Sequence, residues 1–409
     1  MLQKKWLKLG FVGVGVALAV GVWQTSSFSA STGSSAGGAV PPKAMRDIEG
    51  HWAKAAIEAS IAKGYIDGYE DQSFRPDQSV TRAEFVKMAV TALKLPASGT
   101  VTGAEWYIPY ANAAVAGGIH QWSDYSSGDW NTPMTREEMA RVAVRATGEK
   151  NDDAKKWMYL ATSKGLIQGL DDTGTLGEDL PTNRAQSVTI IERIMSVRSG
   201  ETLPADKHAI SRAEVKWHKT NIFTVMPQYF GNLYPGTSWN PDDLFIKTPD
   251  GLYEGVLDEL VAIDLEDPND PFLNYLPDIS TLKWHNLKVK PDGSKDGFPV
   301  SAYKNSYILY FKGRETMRSD SSIYADFHGF LPAVVYGAES PDIKAFVNGE
   351  LNSTAGVFVQ TLTDVPAVLI PKTMNTTGSL HIVIYAPARS PNPTFDKTIL
   401  KARTPKIIE

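Results

Sequence analysis

Three arginines stand at the same place in three copies of a short motif: Thr81-Arg82-Ala83-Glu84, Thr135-Arg136-Glu137-Glu138 and Asn183-Arg184-Ala185-Gln186. In each copy a residue suited to cap a helix is followed three positions later by Glu or Gln, the arrangement that satisfies the orphan donors of a helix start reciprocally. Each arginine therefore takes the first helical position, where the helix dipole disfavours positive charge. A local exception made three times points to a functional charge or to a fixed ion pair. Beside the free N–H groups of a helix start, a guanidinium suits a ligand carboxylate. The other reading is a strut, in which each arginine pairs with an acid of the neighbouring copy.

The arginines sit in a longer repeat. Trp52 precedes Arg82 by 30 residues and Trp106 precedes Arg136 by 30; Gly64 and Gly118 each precede their arginine by 18, and Gly165 precedes Arg184 by 19. Each copy predicts two helices. In the first, Ala53, Ala56, Ile57, Ser60 and Ile61 recur at helical spacing and stop at Gly64, a helix C-cap. Behind the capping motifs come Phe85, Met88 and Ala89, then Met139, Val142 and Ala143, then Val188, Ile191 and Ile194. One helix pair cannot bury its own apolar face, so the three copies must pack together.

The pattern Asp47, His51-Trp52-Ala53, Gly64-Tyr65-Ile66-Asp67-Gly68-Tyr69, Phe74-Arg75-Pro76 and Thr81-Arg82-Ala83-Glu84-Phe85 resembles an S-layer homology repeat. The second copy, with Trp106-Tyr107-Ile108-Pro109-Tyr110, has Trp122 where the first has Gly68 and lacks a counterpart of Asp47. The third keeps Gly165-Leu166-Ile167-Gln168-Gly169. The resemblance implies repeats at 45–95, 102–147 and 152–200 that form one three-pronged, all-α spindle with pseudo-threefold symmetry. It implies grooves between repeats that hold pyruvylated secondary cell wall polysaccharide of a Gram-positive envelope, with no cofactor. Arg82, Arg136, Arg184, Asp47, Trp52, Trp106, Gly64, Gly68, Gly165 and Gly169 are the candidate contacts. A ketal pyruvate is a carboxylate, in keeping with the chemistry of the arginines.

Lys4, Lys5 and Lys8 ahead of the apolar stretch Leu9 to Val22 read as a secretory signal peptide over 1–30, leaving no stable membrane span once cleaved. A Ser/Gly/Pro linker follows over 31–44. The chain has no cysteine, which excludes disulfides and thiolate chemistry, and its net charge of -5 offers no polybasic field for nucleic acid.

Residues 205–409 read as an all-β, sandwich-like region, completing an α + β multidomain chain. Runs at Ile222 to Val225, Leu287 to Val289, Tyr307 to Phe311, Ile343 to Val347, Val357 to Thr361, Ala367 to Ile370 and Leu380 to Tyr385 are strand-like, and Asn348-Gly349 reads as a turn between two of them. His208, His218, His285, His328 and His381 show no metal-ligand spacing, and no nucleophile elbow or phosphate loop is present. Asp264, Glu266, Asp267 and Asp270 form one acidic cluster, a weak calcium candidate. This region reads as a surface-layer or display module able to meet other surface-layer subunits. A wall-anchored glycan hydrolase and an adhesion module are the alternatives, the latter for the aromatic stretch Tyr229, Phe230, Tyr234 and Trp239.

Overall fold

The computed structural model describes residues 45–99, 103–125 and 129–404, so the expected leader and linker lie outside the described residues. The described residues all fall within one compact unit, Pro42–Glu409. Within it, the first copy supplies α1 (Lys54–Ala62) and α2 (Arg82–Ala92). The second supplies α3 (Ile108–Ala116) and α4 (Arg136–Ala146), and the third α5 (Trp157–Ser163) and α6 (Arg184–Arg198). All three capping boxes are formed, at Thr81 and Glu84, Thr135 and Glu138, and Asn183 and Gln186.

The three copies close into a ring. Helix α3 packs on α2, α5 on α4, and α1 returns to pack on α6. At the centre a cycle of backbone hydrogen bonds joins them: Val80 N donates to Thr182 O (3.0 Å), Thr182 N to Met134 O (2.8 Å) and Met134 N to Val80 O (2.8 Å). Val80, Met134 and Thr182 are fully or almost fully buried, so each bond is made away from water, where an unmade one would cost roughly 1–3 kcal/mol. Phe74, Phe85, Met139, Val188 and Ile191 fill a single core shared by all three copies.

Beyond the ring the chain first stays helical. Helix α7 (Lys207–His218) is followed by the single turns α8 (Ile222–Val225) and α9 (Pro227–Phe230). Three expectations are corrected here. The stretch after Leu203-Pro204 is not free of helix. Its longest helix is capped by Asp206, which accepts from His208 N and Ala209 N, and it ends on Lys219 in the left-handed region. Ile222 to Val225 is a helical turn and not a strand. Ile343 to Val347 is helical too: α10 (Ile343–Phe346) is capped by Asp342, so Asn348-Gly349 ends a helix instead of joining two strands.

The strands are β1 (Phe245–Lys247), β2 (Tyr253–Asp264), β3 (Lys283–Val289), β4 (Lys295–Pro299), β5 (Ser306–Arg318), β6 (Ala333–Ala338), β7 (Ala355–Phe358), β8 (Ala367–Pro371), β9 (Thr376–Ala386) and β10 (Phe395–Arg403). Seven form an antiparallel sheet in the order β1-β2-β5-β8-β7-β3-β4, and β10-β9-β6 form a second. The period of two is visible in β2. Leu260 and Ala262 face the second sheet with Ile382 and Ile384, while Val261 and Ile263 turn to the opposite side, where Trp284, Phe346 and Val215 of α7 complete another core. The two sheets thus make a sandwich-like α + β arrangement whose larger sheet is covered on both faces.

Helix α7 belongs to both halves. Ala209 and Ala213 enter the core of the ring, Arg212 Nε donates to Thr173 O (2.8 Å) and Trp217 Nε1 to Asp153 Oδ2 (2.6 Å). On the other side the fully buried Asn221 extends β2 with its side chain, accepting from Ala262 N (2.7 Å) and donating to Ala262 O (2.9 Å) and Ser211 Oγ (2.8 Å). Asn221→Ala strands buried donors and acceptors at the junction. It is expected to lower stability by roughly 1–3 kcal/mol, measured by urea unfolding; an unchanged midpoint refutes the latch.

Candidate functional site

The helix starts are not open anion sites. Arg82 N donates to Thr132 O (3.1 Å), Arg136 N to Leu180 O (3.0 Å) and Arg184 N to Gln78 O (3.0 Å), each a carbonyl of another copy. The next donors, on Ala83, Glu137 and Ala185, reach Trp130, Glu178 and Pro76 in the same way. With the capping boxes in place, no N–H of these first turns is left for a ligand, which corrects the expectation of free donors. Ring closure takes them.

The guanidiniums are buried and also cross between copies. Arg82 Nη2 lies 2.5 Å from Glu138 Oε1, and Arg82 Nη1 donates to Asp129 O (3.0 Å). Arg136 donates to Leu176 O (2.7 Å) and Gln168 O (2.8 Å), and Arg184 to Phe74 O (2.8 Å) and Asp67 O (3.0 Å). Desolvation draws the pKa of Arg136 and of Arg184 below the ordinary arginine value. All three are inter-repeat struts by geometry, and among the described residues only Arg82 is ion-paired with an acid.

One of them also meets a cavity. A groove of ≈ 470 Å³ runs between the first two copies, walled by the loop Gly64 to Tyr69, by α2 and by Trp106 and Tyr110, with Arg184 of the third copy also in its lining. Gly64, Gly68, Trp106 and Arg184 are brought together here; the other six candidates are not among its lining residues. Trp106 and Tyr110 meet edge to face at 6.4 Å, and Lys87 Nζ lies 5.6 Å from each ring centre. Lys87 is exposed, and no carboxylate pairs with it among the described residues. Lys87 and Tyr110 were missed in the sequence. The available signal was their spacing: Lys87 follows the capping box on the same helix, and Tyr110 is four residues after Trp106, one turn on.

The remaining candidates support this groove or lie elsewhere. Burial acts to raise the pKa of Asp47, but the N–H groups of Phe74 and Arg75, each 2.7 Å from its carboxylate, outweigh it and lower the pKa. Asp47 so fixes the Phe74 carbonyl that holds Arg184. Gly68 serves packing: a Cβ there would come within 2.4 Å of Met45 Sδ. Trp52 is exposed beside His51. Gly165 and Gly169 lie under the junction with the second half, where a Cβ on Gly165 would meet Leu203 and Pro204, and Gly169 N donates to Asp206 Oδ2 (2.9 Å).

The acidic cluster is already neutralised. Lys372 Nζ bridges Asp264 and Glu266, at 2.7 Å from each, while Asp267 meets Lys207 Nζ at 2.6 Å and His208 Nε2 at 2.7 Å. Asp270 is buried, which pushes its pKa up to about 6, and it accepts from Asp264 N and Phe272 N. Among the described residues no group of three or more His, Asp or Glu is placed to hold a metal ion.

The S-layer homology domain profile matches residues 44–86, the span that contributes the loop and the start of α2 to the groove. The chain carries an S-layer homology domain. Relatives include a cellulosome-anchoring protein of Acetivibrio thermocellus, 50% identical over 58 residues, which covers 14% of this chain and 13% of that protein. Exoglucanase XynX of the same organism is 32% identical over 133 residues, 30% of this chain and 12% of the relative. The Surface-layer 125 kDa protein of Lysinibacillus sphaericus is 25% identical over 163 residues, 35% and 14% respectively. The match thus spans about an eighth of the length of each of these curated relatives. Among the described residues no helix is long and apolar enough to cross a membrane.

Proposed function

We propose that the S-layer homology ring anchors this protein without a covalent bond to an anionic, pyruvate-bearing secondary cell wall polysaccharide, and that the groove between the first two copies is the binding site. The groove itself carries the reading. It brings a buried guanidinium (Arg184) and an ammonium with no carboxylate partner among the described residues (Lys87) about an aromatic wall (Trp106, Tyr110), which suits a carboxylate-substituted sugar. The strands and α7 are the displayed part, held to the ring as one body. At that junction lies a cleft of ≈ 510 Å³, in which Glu178, Asp258 and Glu259 are paired with Lys216, Arg314 and Lys312.

The full chain is expected to bind purified walls and to lose binding when the secondary polysaccharide is stripped or its pyruvate removed. Retention on stripped walls refutes the reading. Lys87→Ala is expected to weaken binding about tenfold, the loss of one charge-assisted contact, with no change in melting temperature because the side chain is exposed. Unchanged affinity for intact walls excludes Lys87 from the site.

A further inference from the structure

Lys87 and Thr91 of α2 line the first groove. They follow Arg82 by five and nine residues, and the residues at the same distances from Arg136 in α4 are Arg141 and Arg145. Arg145 Cζ also lies 4.8 Å from the Trp157 ring centre of the third copy, so by the repeat's symmetry two guanidiniums on one helix face ought to make the corresponding groove between the second and third copies the stronger anion site. Both are instead turned onto a carboxylate of the chain. Asp124 Oδ2 lies 2.5 Å from Arg145 Nη1 and Asp124 Oδ1 lies 3.4 Å from Arg141 Nη1. Gln121 N donates to Oδ2 at 2.7 Å, His120 Nδ1 stands 3.1 Å from the same oxygen, and Arg141 Nη1 also donates to the Asp124 carbonyl at 3.0 Å.

The carboxylate is largely closed to solvent, with the Asp124 side chain only 5% exposed. Burial would raise the Asp124 pKa, yet the adjacent His120 ring and the hydrogen bonds from Arg145 and Gln121 N overcome it and hold the carboxyl far below the usual range. The loop that delivers Asp124 carries Trp122 at the position of Gly68. The Trp122 ring packs edge-on against His120 (6.1 Å) and Trp130 (6.0 Å).

We propose that Asp124 is an internal substitute for the ligand carboxylate, so that the groove between the second and third copies is occupied by the chain's own side chain and takes no wall sugar. This rests on the anionic-ligand reading of the first groove. Ligand binding in the second groove has been exchanged for a strut that staples the 120–125 loop to α4. The chain thereby presents the wall with fewer sites than it has repeats.

The test is isothermal titration of the full chain with a methyl glycoside of a pyruvate-ketal N-acetylhexosamine. Asp124→Ala frees Arg141 and Arg145 and is expected to add one site per chain to the stoichiometry of the unaltered protein. Arg145→Ala, made in the unaltered background, is expected to leave stoichiometry and affinity unchanged. The proposal is overturned if Arg145→Ala removes a site, since the second groove would then already bind. It is equally overturned if Asp124→Ala keeps its circular dichroism spectrum and melting cooperativity but gains no site. No binding heat from any of the three proteins sinks the wall-anchoring reading itself, a result distinct from either of those.

Discussion

Arg82→Ala is expected to lower the stability of the ring by about 3 kcal/mol while leaving wall binding through the first groove intact. The substitution removes one partner of a buried ion pair: the side chains of Arg82 and Glu138 are only 9% and 13% exposed. Glu138 keeps the N–H of Thr135 but loses its cation, and a buried charge left without its partner costs about 3–5 kcal/mol. The remaining hydrogen bond places the loss at the low end. Arg82→Lys restores less than half of it, because an ammonium cannot serve both carboxylate oxygens and the Asp129 carbonyl as a planar fork does. Arg184→Ala differs in kind. It strands the Phe74 and Asp67 carbonyls and also removes a cation that lines the groove, so stability and affinity fall together. Thermal unfolding and wall titration of the two variants side by side check the contrast. Wild-type stability in Arg82→Ala, with weakened binding, would make Arg82 a ligand contact and refute the assignment.

The second large effect is a dependence on pH that resides in α7. Glu214 is 1% exposed, and burial pushes its carboxyl from the ordinary glutamate range up to about 7. Oε2 accepts from Thr224 N (3.1 Å), while Oε1 has no hydrogen-bond partner among the described residues. Between about pH 4.5 and 7 the folded protein keeps a proton that the unfolded chain has released, so stability falls as pH rises through this window and levels off above it. A shift of this size corresponds to about 3 kcal/mol. Glu214→Gln retains the acceptor for Thr224 N without the charge. It is expected to match the unaltered protein near pH 4 and to be more stable by about 3 kcal/mol at pH 8. His218, whose pKa burial lowers to about 4, pulls stability the opposite way over much of this range, but it is common to both proteins and cancels in their difference. Urea unfolding at pH 4, 6 and 8 measures that difference; a constant gap refutes the protonated Glu214.

Local features were legible in the sequence and ring closure was not. The capping boxes at Thr81, Thr135 and Asn183 depend on residues three positions apart, and all three form. The partners of the arginines do not. Arg136 and Arg184 bond chiefly to main-chain carbonyls 32–117 residues away, and a carbonyl has no signature in a sequence. Helix α7 escaped notice because its apolar residues serve different cores, Ala209 and Ala213 one and Val215 another, so no single stripe runs along it. The β-branched run at Ile222 reads as a strand from propensity alone; a buried Asn221 that pairs with β2 decides otherwise. At Gly68, which lines the groove, the sequence does not reveal that Met45 packs against the backbone.

The cycle Val80, Thr182, Met134 bears on how such a protein can evolve or be shortened. In an open array of repeats each unit leans on its neighbours and the ends are protected by special terminal units, so copies can be gained or lost singly. A ring held by a closed three-member cycle has no end at which to add or remove one. Deleting a copy leaves one donor and one acceptor of the cycle facing each other across a missing third of the circle, and exposes the core residues of both flanking helices. Gene segments encoding this ring are therefore expected to be inherited, duplicated and grafted onto other chains three copies at a time.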